Sequence, residues 1–160
     1  MTISELPPSA QKVHDAAAAL GLDIAVREMP DSTRTAEKAA AAVGVTVGQI
    51  VKSLVFMGAT SGKPYLLLVS GTNRVNEAGV AAHLGEALRR PDADAVRALT
   101  GFAIGGIPPF GHDTSLATYI DGDLLQYDIV WAAAGTPKAV FSAAPNKLKD
   151  ATKAIVIDVK

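Results

Sequence analysis

The stretch from Gly101 to His112, Gly-Phe-Ala-Ile-Gly-Gly-Ile-Pro-Pro-Phe-Gly-His, constrains this chain more than any other. Gly105, Gly106 and Gly111 open backbone angles closed to other residues and leave their main-chain N–H groups unscreened by a side chain. Pro108 and Pro109 do the reverse: each fixes its own φ, carries no N–H and pushes the preceding residue toward extended backbone. A stiff bend follows, whose remaining amides, from Gly105, Gly106, Ile107, Phe110 and Gly111, are available to a ligand. Phe102, Ile104, Ile107 and Phe110 are interleaved through it and should pin it to a core, unlike a flexible Gly/Ser linker. Two readings are open at this point. The stretch is a rigid loop that holds a substrate, or it is a tight structural turn between a helix and a strand, because Gly and Pro are first of all turn punctuation.

The rest of the chain supplies the scaffold. Ser9 is placed to cap a helix from Ala10 to Leu20, with Gly21 as its stop, and Ile24 to Met29 reads as a strand ending at Pro30. Thr35 caps an alanine-rich helix, Ala36 to Val43, stopped by Gly44. Ile50 to Met57 and Tyr65 to Ser70 are apolar runs joined by Gly58-Ala-Thr-Ser-Gly-Lys-Pro64, the clearest hairpin signal in the chain. Asn76 begins a helix to Leu84, and Asp92 caps another to Leu99. Apolar runs at Ala117–Ile120, Ile129–Ala132 and Ala139–Ser142 follow, then a helix opened by Pro145 and a last strand from Ala154 to Val159. Helices and strands alternate irregularly and some strands are neighbours in sequence, so the expected fold is α/β with a mixed sheet. At 160 residues, the whole chain, 1–160, reads as one domain.

Charge and composition remove several function classes. Fifteen Lys and Arg against sixteen Asp and Glu leave a formal net charge of −1, so no global basic field points to a long nucleic-acid duplex. A small contact with the end of one strand stays open. There is no cysteine, which excludes disulfides, thiolate nucleophiles and cysteine-bound zinc. The first nine residues have neither the basic start nor the apolar run of a secretory signal, and no run approaches the roughly 20 apolar residues needed to span a bilayer. A cytoplasmic protein without a membrane partner is the expectation.

Lys52 is the conspicuous side chain of the scaffold. Period-two alternation puts it on the same face as Leu54 and Phe56, with Val51, Ser53 and Val55 opposite. Both faces are apolar beyond it, so the strand is expected to be central. An ammonium there must either snorkel to water or meet a carboxylate, phosphate or carbonyl. Of the three histidines, His14 and His83 read as helix-face residues. His112, directly after the Gly-Pro loop, is either a polar gate or proton carrier or an exposed loop residue without a role. No histidine has a partner at metal-ligand spacing, so no metal is expected. Arg89, Arg90, Arg97, Lys147, Lys149 and Lys153 are mostly solvated faces, a few of which could flank a pocket and hold one or two phosphates. Gly58 to Lys63 approaches a P-loop but is one residue short, with Pro64 where Ser or Thr should bind magnesium, and it reads as the hairpin turn.

The ordered set Thr35-Ala-Glu-Lys-Ala-Ala-Ala-Ala-Val-Gly44, Gln49-Ile-Val-Lys52-Ser-Leu-Val55, Thr100 to Gly111, Tyr119-Ile-Asp121 and Ala134-Gly135 resembles the YbaK family, also called the prolyl-tRNA synthetase associated domain. The resemblance covers nearly the whole chain. It implies a strongly curved mixed sheet or barrel-like core ringed by helices, and an aminoacyl-tRNA deacylase that hydrolyses the ester joining a wrong amino acid to a tRNA 3′ end. It also implies that Lys52 is the functional lysine, that Gly105 and Pro109 are the ends of a Gly-x-x-x-Pro substrate loop, and that no cofactor is required. With Lys52 and Gly105 as the catalytic pair, substrate contacts are expected at Gly106, Ile107, Pro108, Pro109, His112 and Gly135. Many bacterial members carry Ser where Pro108 stands, which places this chain nearer the free-standing ProX-like branch. The expected partner is the aminoacyl-tRNA 3′ end, with tRNA identity left to a synthetase or elongation factor. A non-catalytic module that holds an acceptor stem, a nucleotide or a synthetase, and a small-molecule hydrolase on the same scaffold, are the competing readings.

Overall fold

Two long apolar runs meet as the central hairpin. In the computed structural model, which describes residues 6–160, strand β2 (Ile50–Gly58) pairs antiparallel with β3 (Pro64–Ser70), setting Lys52 opposite Val69 and Phe56 opposite Tyr65. Alternation sorts their side chains as expected. Val51, Val55, Leu66 and Leu68 enter the larger of the two cores on these strands, while Phe56, Leu67 and Val69 enter the smaller. Leu66 to Val69 are fully buried, each worth roughly 1.5–3 kcal/mol relative to exposure.

The remaining strands extend this hairpin into an open mixed sheet of order β1-β7-β6-β2-β3-β5-β8. These are β1 (Arg27–Glu28), β5 (Ala117–Asp121), β6 (Val130–Ala133), β7 (Ala139–Ala143) and β8 (Ile155–Ile157). β6 runs parallel to β2, β5 parallel to β3 and β8 parallel to β5, whereas β1–β7 and β6–β7 are antiparallel. The sheet does not close, because its two end strands, β1 and β8, do not pair with one another. Of the two forms expected, sheet and barrel-like core, the sheet is adopted. A further strand, β4 (Leu88–Arg89), pairs with the far end of β2 at Met57 and Gly58.

Helices α2 (Ala36–Val43), α3 (Glu77–Leu84) and α4 (Ala93–Thr100) begin where local chemistry dictates. Thr35, Asn76 and Asp92 each accept a hydrogen bond from a first-turn amide, of Lys38, Gly79 and Ala95. α5 spans Pro145–Thr152. α1 (Pro8–Ala19) starts earlier than the Ser9 cap implied, because Pro8 is already preset for the first helical position and Pro7 takes the cap position without a side-chain bond. The strand expected over 24–29 shrinks to Arg27–Glu28, since Leu22 and Ile24 turn into the main core instead. Residues 1–5, part of the segment read for a leader, lie outside the described residues.

The P-loop-like turn is a hairpin turn with an internal anion. Glu86 Oε1 accepts from the amides of Thr60 and Ser61 at 3.0 and 2.8 Å, and Oε2 accepts from the hydroxyls of Ser61 and Tyr65 at 2.6 and 2.7 Å. Those bonds, Ser61 first, pull the Glu86 carboxyl down to about 2.

Candidate active site

Lys52 emerges from the middle of β2 and finds a carbonyl. Its Nζ donates to the Asn73 carbonyl oxygen at 2.5 Å. Asn73 is itself fixed, its side-chain amide donating to Asp121 Oδ2 and Asp123 Oδ2, both at 2.8 Å. Asp121, buried at the end of β5, also accepts from the Ser70 amide at 3.1 Å. The loop after β3 is therefore held by a carboxylate from the neighbouring strand, and that loop positions the lysine. Burial lowers the Lys52 pKa below 10.5; Glu37 and Asp121 oppose the shift and Arg74 adds to it.

The Gly-Pro loop follows α4 and is pinned by Phe102, Ile107 and Phe110, all buried. Ile104, expected to join them, is instead 46% exposed and lines the cavity described below. Gly105 adopts φ +97°, and a Cβ there would come within 2.6 Å of Arg34 Cγ, so the arginine packs directly over the glycine. Gly106 donates to the Ala103 carbonyl at 3.0 Å and accepts from the Gly135 amide at 2.9 Å. Its own amide is thus spent on the turn. Among the described residues, no acceptor pairs with the amides of Gly105 or Ile107.

One cavity of about 970 Å³ joins these features. Lys52, Gly105 and Ile107 all line it, although the lysine and the loop are about fifty residues apart in sequence. Among the described residues, Arg34, Arg74 and Arg90 lie on its wall with a single carboxylate, Glu37, so with Lys52 that lining has four cations against one anion. Of the cations singled out in the sequence for phosphate contact, only Arg90 is among them. Arg90 is engaged with Glu77 at 3.0 Å and lies 5.7 Å from the centre of the Phe56 ring. Leu54, Phe56, Val96 and Ile104 are among its apolar lining, and Trp131 packs with Ala36, Ala39 and Val47 in a separate apolar cluster on its wall.

The other expected contacts lie off the cavity wall. Pro108 and Pro109 are buried, and His112 Nε2 lies 2.7 Å from the Pro108 carbonyl with its ring edge-on to Phe102. Burial lowers the His112 pKa, partly countered by that bond. Gly135, φ +96°, is buried against the Ser9 carbonyl. None of Gly106, Pro108, Pro109, His112 and Gly135 lines the cavity.

Arg34 and Arg74 escaped the sequence reading because both lie in polar loops, where an arginine looks like solvated surface. Their positions carried a signal nonetheless: Arg34 precedes the Thr35 cap, and Arg74 follows the apolar run that pairs with the Lys52 strand. Asp121 was visible only as part of a motif, without a role. Ser53 is a further surprise, its hydroxyl being inaccessible and, among the described residues, without a partner, at a cost of about 1–3 kcal/mol.

The site is a cationic, part-apolar cleft in an open mixed sheet, with a fixed lysine and, among the described residues, loop amides that no acceptor pairs. The family sequence pattern of the aminoacyl-tRNA editing domain matches residues 30–151, and this chain belongs to that family. A protein solved as a candidate trans-editing enzyme for prolyl-tRNA synthetase is 52% identical, with a TM-score of 0.92 over 98% of this chain and 99% of that one. Hypothetical protein APE2540 is 32% identical, with a TM-score of 0.86 over 92% and 98%. Uncharacterized protein YwhH of Bacillus subtilis (strain 168) is 29% identical over 106 residues, 66% of this chain and 67% of its own length.

Proposed function

We propose that this chain is an aminoacyl-tRNA deacylase, acting in trans in the cytoplasm on the ester between a wrong amino acid and the tRNA 3′ end. The observation that carries the reading is the single cavity walled by both Lys52 and Gly105. As water adds to the ester carbon, negative charge grows on the carbonyl oxygen, and fixed backbone donors stabilise it without reorganising. The amides of Gly105 and Ile107 serve that purpose, and Lys52 supplies positive charge to the same oxygen or to the terminal phosphate. The acyl C–O bond then breaks, returning the proton to the ribose oxygen. Water attacks directly, since the chain has no cysteine and no nucleophile elbow. Gly106, Pro108, Pro109, His112 and Gly135 act from off the cavity wall, holding Gly105 and Ile107 at their station. Arg34 and Arg74 take the phosphates nearest the terminus, and an elongation factor or synthetase selects the tRNA.

Release of free amino acid from a panel of mischarged tRNAs tests the assignment. Turnover on at least one small-side-chain substrate is expected, and Lys52→Ala should lower it by roughly 100-fold while leaving the thermal melt intact. Binding of the acceptor end without turnover on any substrate would replace the enzyme with a binding module.

A further inference from the structure

Strand β2 carries a gap in its hydrogen-bond ladder that opens onto the cavity. Gly58 donates to Lys63 and Gly71 donates to Ile50, so the even-numbered residues of β2 point their backbone groups at β3. The odd-numbered ones, Val51, Ser53, Val55 and Met57, point to the other edge. There Val51 is paired by β6 and Met57 by β4. Neither ladder goes further. On the β6 side, Gly135 donates to Gly106 instead of continuing along β2. On the β4 side, the rung after Arg89 falls at Pro91, which has no N–H to give. The N–H and C=O of Ser53 and Val55 are thereby left facing a space whose walls include Pro91, Ala133 and Gly105.

We propose that this gap is the anchor for the aminoacyl group itself, a proposal that rests on the deacylase reading above. An antiparallel neighbour would exchange N–H and C=O with one residue at a time, and an aminoacyl ester offers the matching pair: an α-ammonium that donates and an ester carbonyl that accepts. One rung is used at a time: the carbonyl of Ser53 or of Val55 accepts from the ammonium, and the amide of that same residue donates to the ester carbonyl oxygen. The gap is two rungs long and closed at both ends by β6 and β4. A peptide strand is therefore too long, and a single residue fits. Because only the groups common to all amino acids are read here, the side chain is left to the apolar wall of Leu54, Phe56, Val96 and Ile104.

Amide hydrogen exchange on the isotope-labelled full chain tests this, with non-hydrolysable 3′-aminoacylamino-3′-deoxyadenosine analogues carrying glycine, alanine or serine as probes. In the free protein, Ser53 and Val55 should exchange faster than Lys52, Leu54 and Phe56. Every analogue that binds should slow the amide of the engaged residue, Ser53 or Val55, by roughly tenfold or more, the same residue for every analogue, and an analogue lacking the α-amino group should not. Analogues that shift the Lys52 and Gly105 resonances while leaving Ser53 and Val55 unprotected would overturn the anchor and spare the deacylase reading. Absence of any shift with every analogue would overturn both.

Discussion

Lys52 pays for its position in protonation. Its neighbours on the cavity wall have opposite effects on it: Glu37 favours the ammonium and Arg74 opposes it, on top of the burial that lowers its pKa. If the charged form is the active one, the alkaline limb of kcat/KM for deacylation falls at a pH below 10.5, the ordinary lysine value. Glu37→Gln removes a stabilising charge and should move that limb to lower pH, whereas Arg74→Gln removes a repelling one and should move it up. Rates corrected for spontaneous ester hydrolysis give the comparison, and shifts of the same sign in both variants would refute the assignment. The same direction applies to stability. The cost of burying the charged lysine is present below its folded pKa and is relieved as pH rises from that value toward the unfolded one. Lys52 could be picked out from sequence because a lone charge in an apolar strand is costly wherever the strand ends up. Arg34 and Arg74 could not, because what separates them from other loop arginines is a cavity assembled from distant segments.

At the scale of elements, the Gly-Pro loop and the turn after β6 are locked together through Gly106 and Gly135, and two positive-φ glycines at that lock, Gly105 and Gly135, differ in their surroundings. A Cβ at Gly105 meets the flexible Arg34 side chain, while one at Gly135 lies 2.5 Å from the Ser9 backbone carbonyl. Gly105→Ala should therefore cost about 1–2 kcal/mol of strain and displace Arg34, lowering activity more than stability. Gly135→Ala carries the same strain plus a backbone clash, and should lose about 1 kcal/mol or more beyond it in denaturant melts. Equal losses would mean that the clash is relieved by movement of α1. The caps at Thr35, Asn76 and Asp92 were legible because each bonds within its own first turn. The two-residue β4 was not, since Leu88 and Arg89 form a strand only through the far end of β2. The ladder gap at Ser53 and Val55 is illegible for the same reason: Pro91 and Gly135 create it from segments remote in sequence.

For the whole molecule, charge is distributed rather than abundant. A chain of net charge −1 concentrates four cations against one carboxylate in its cleft, which suits a partner held by its terminus alone. If one to three phosphates are engaged, the slope of log affinity against log salt for tRNA should be about −0.7 to −2. A slope several times steeper in filter-binding or anisotropy titrations would show that a longer part of the duplex is gripped. The fold and the family were readable because the apolar runs, caps and motif order survive as local pattern. The site was readable only at Lys52 and the loop, and its wall required the tertiary structure.

The central claim is that Lys52 and Gly105, remote along the chain, act on one ester. Single-turnover deacylation by wild type, Lys52→Ala, Gly105→Ala and the double variant measures it on a mischarged tRNA that the panel shows to be a substrate. The account predicts that each single variant is impaired and that the double is within roughly fivefold of the slower single, as residues working as a unit behave. Losses that multiply, or full activity in either single variant, would contradict it.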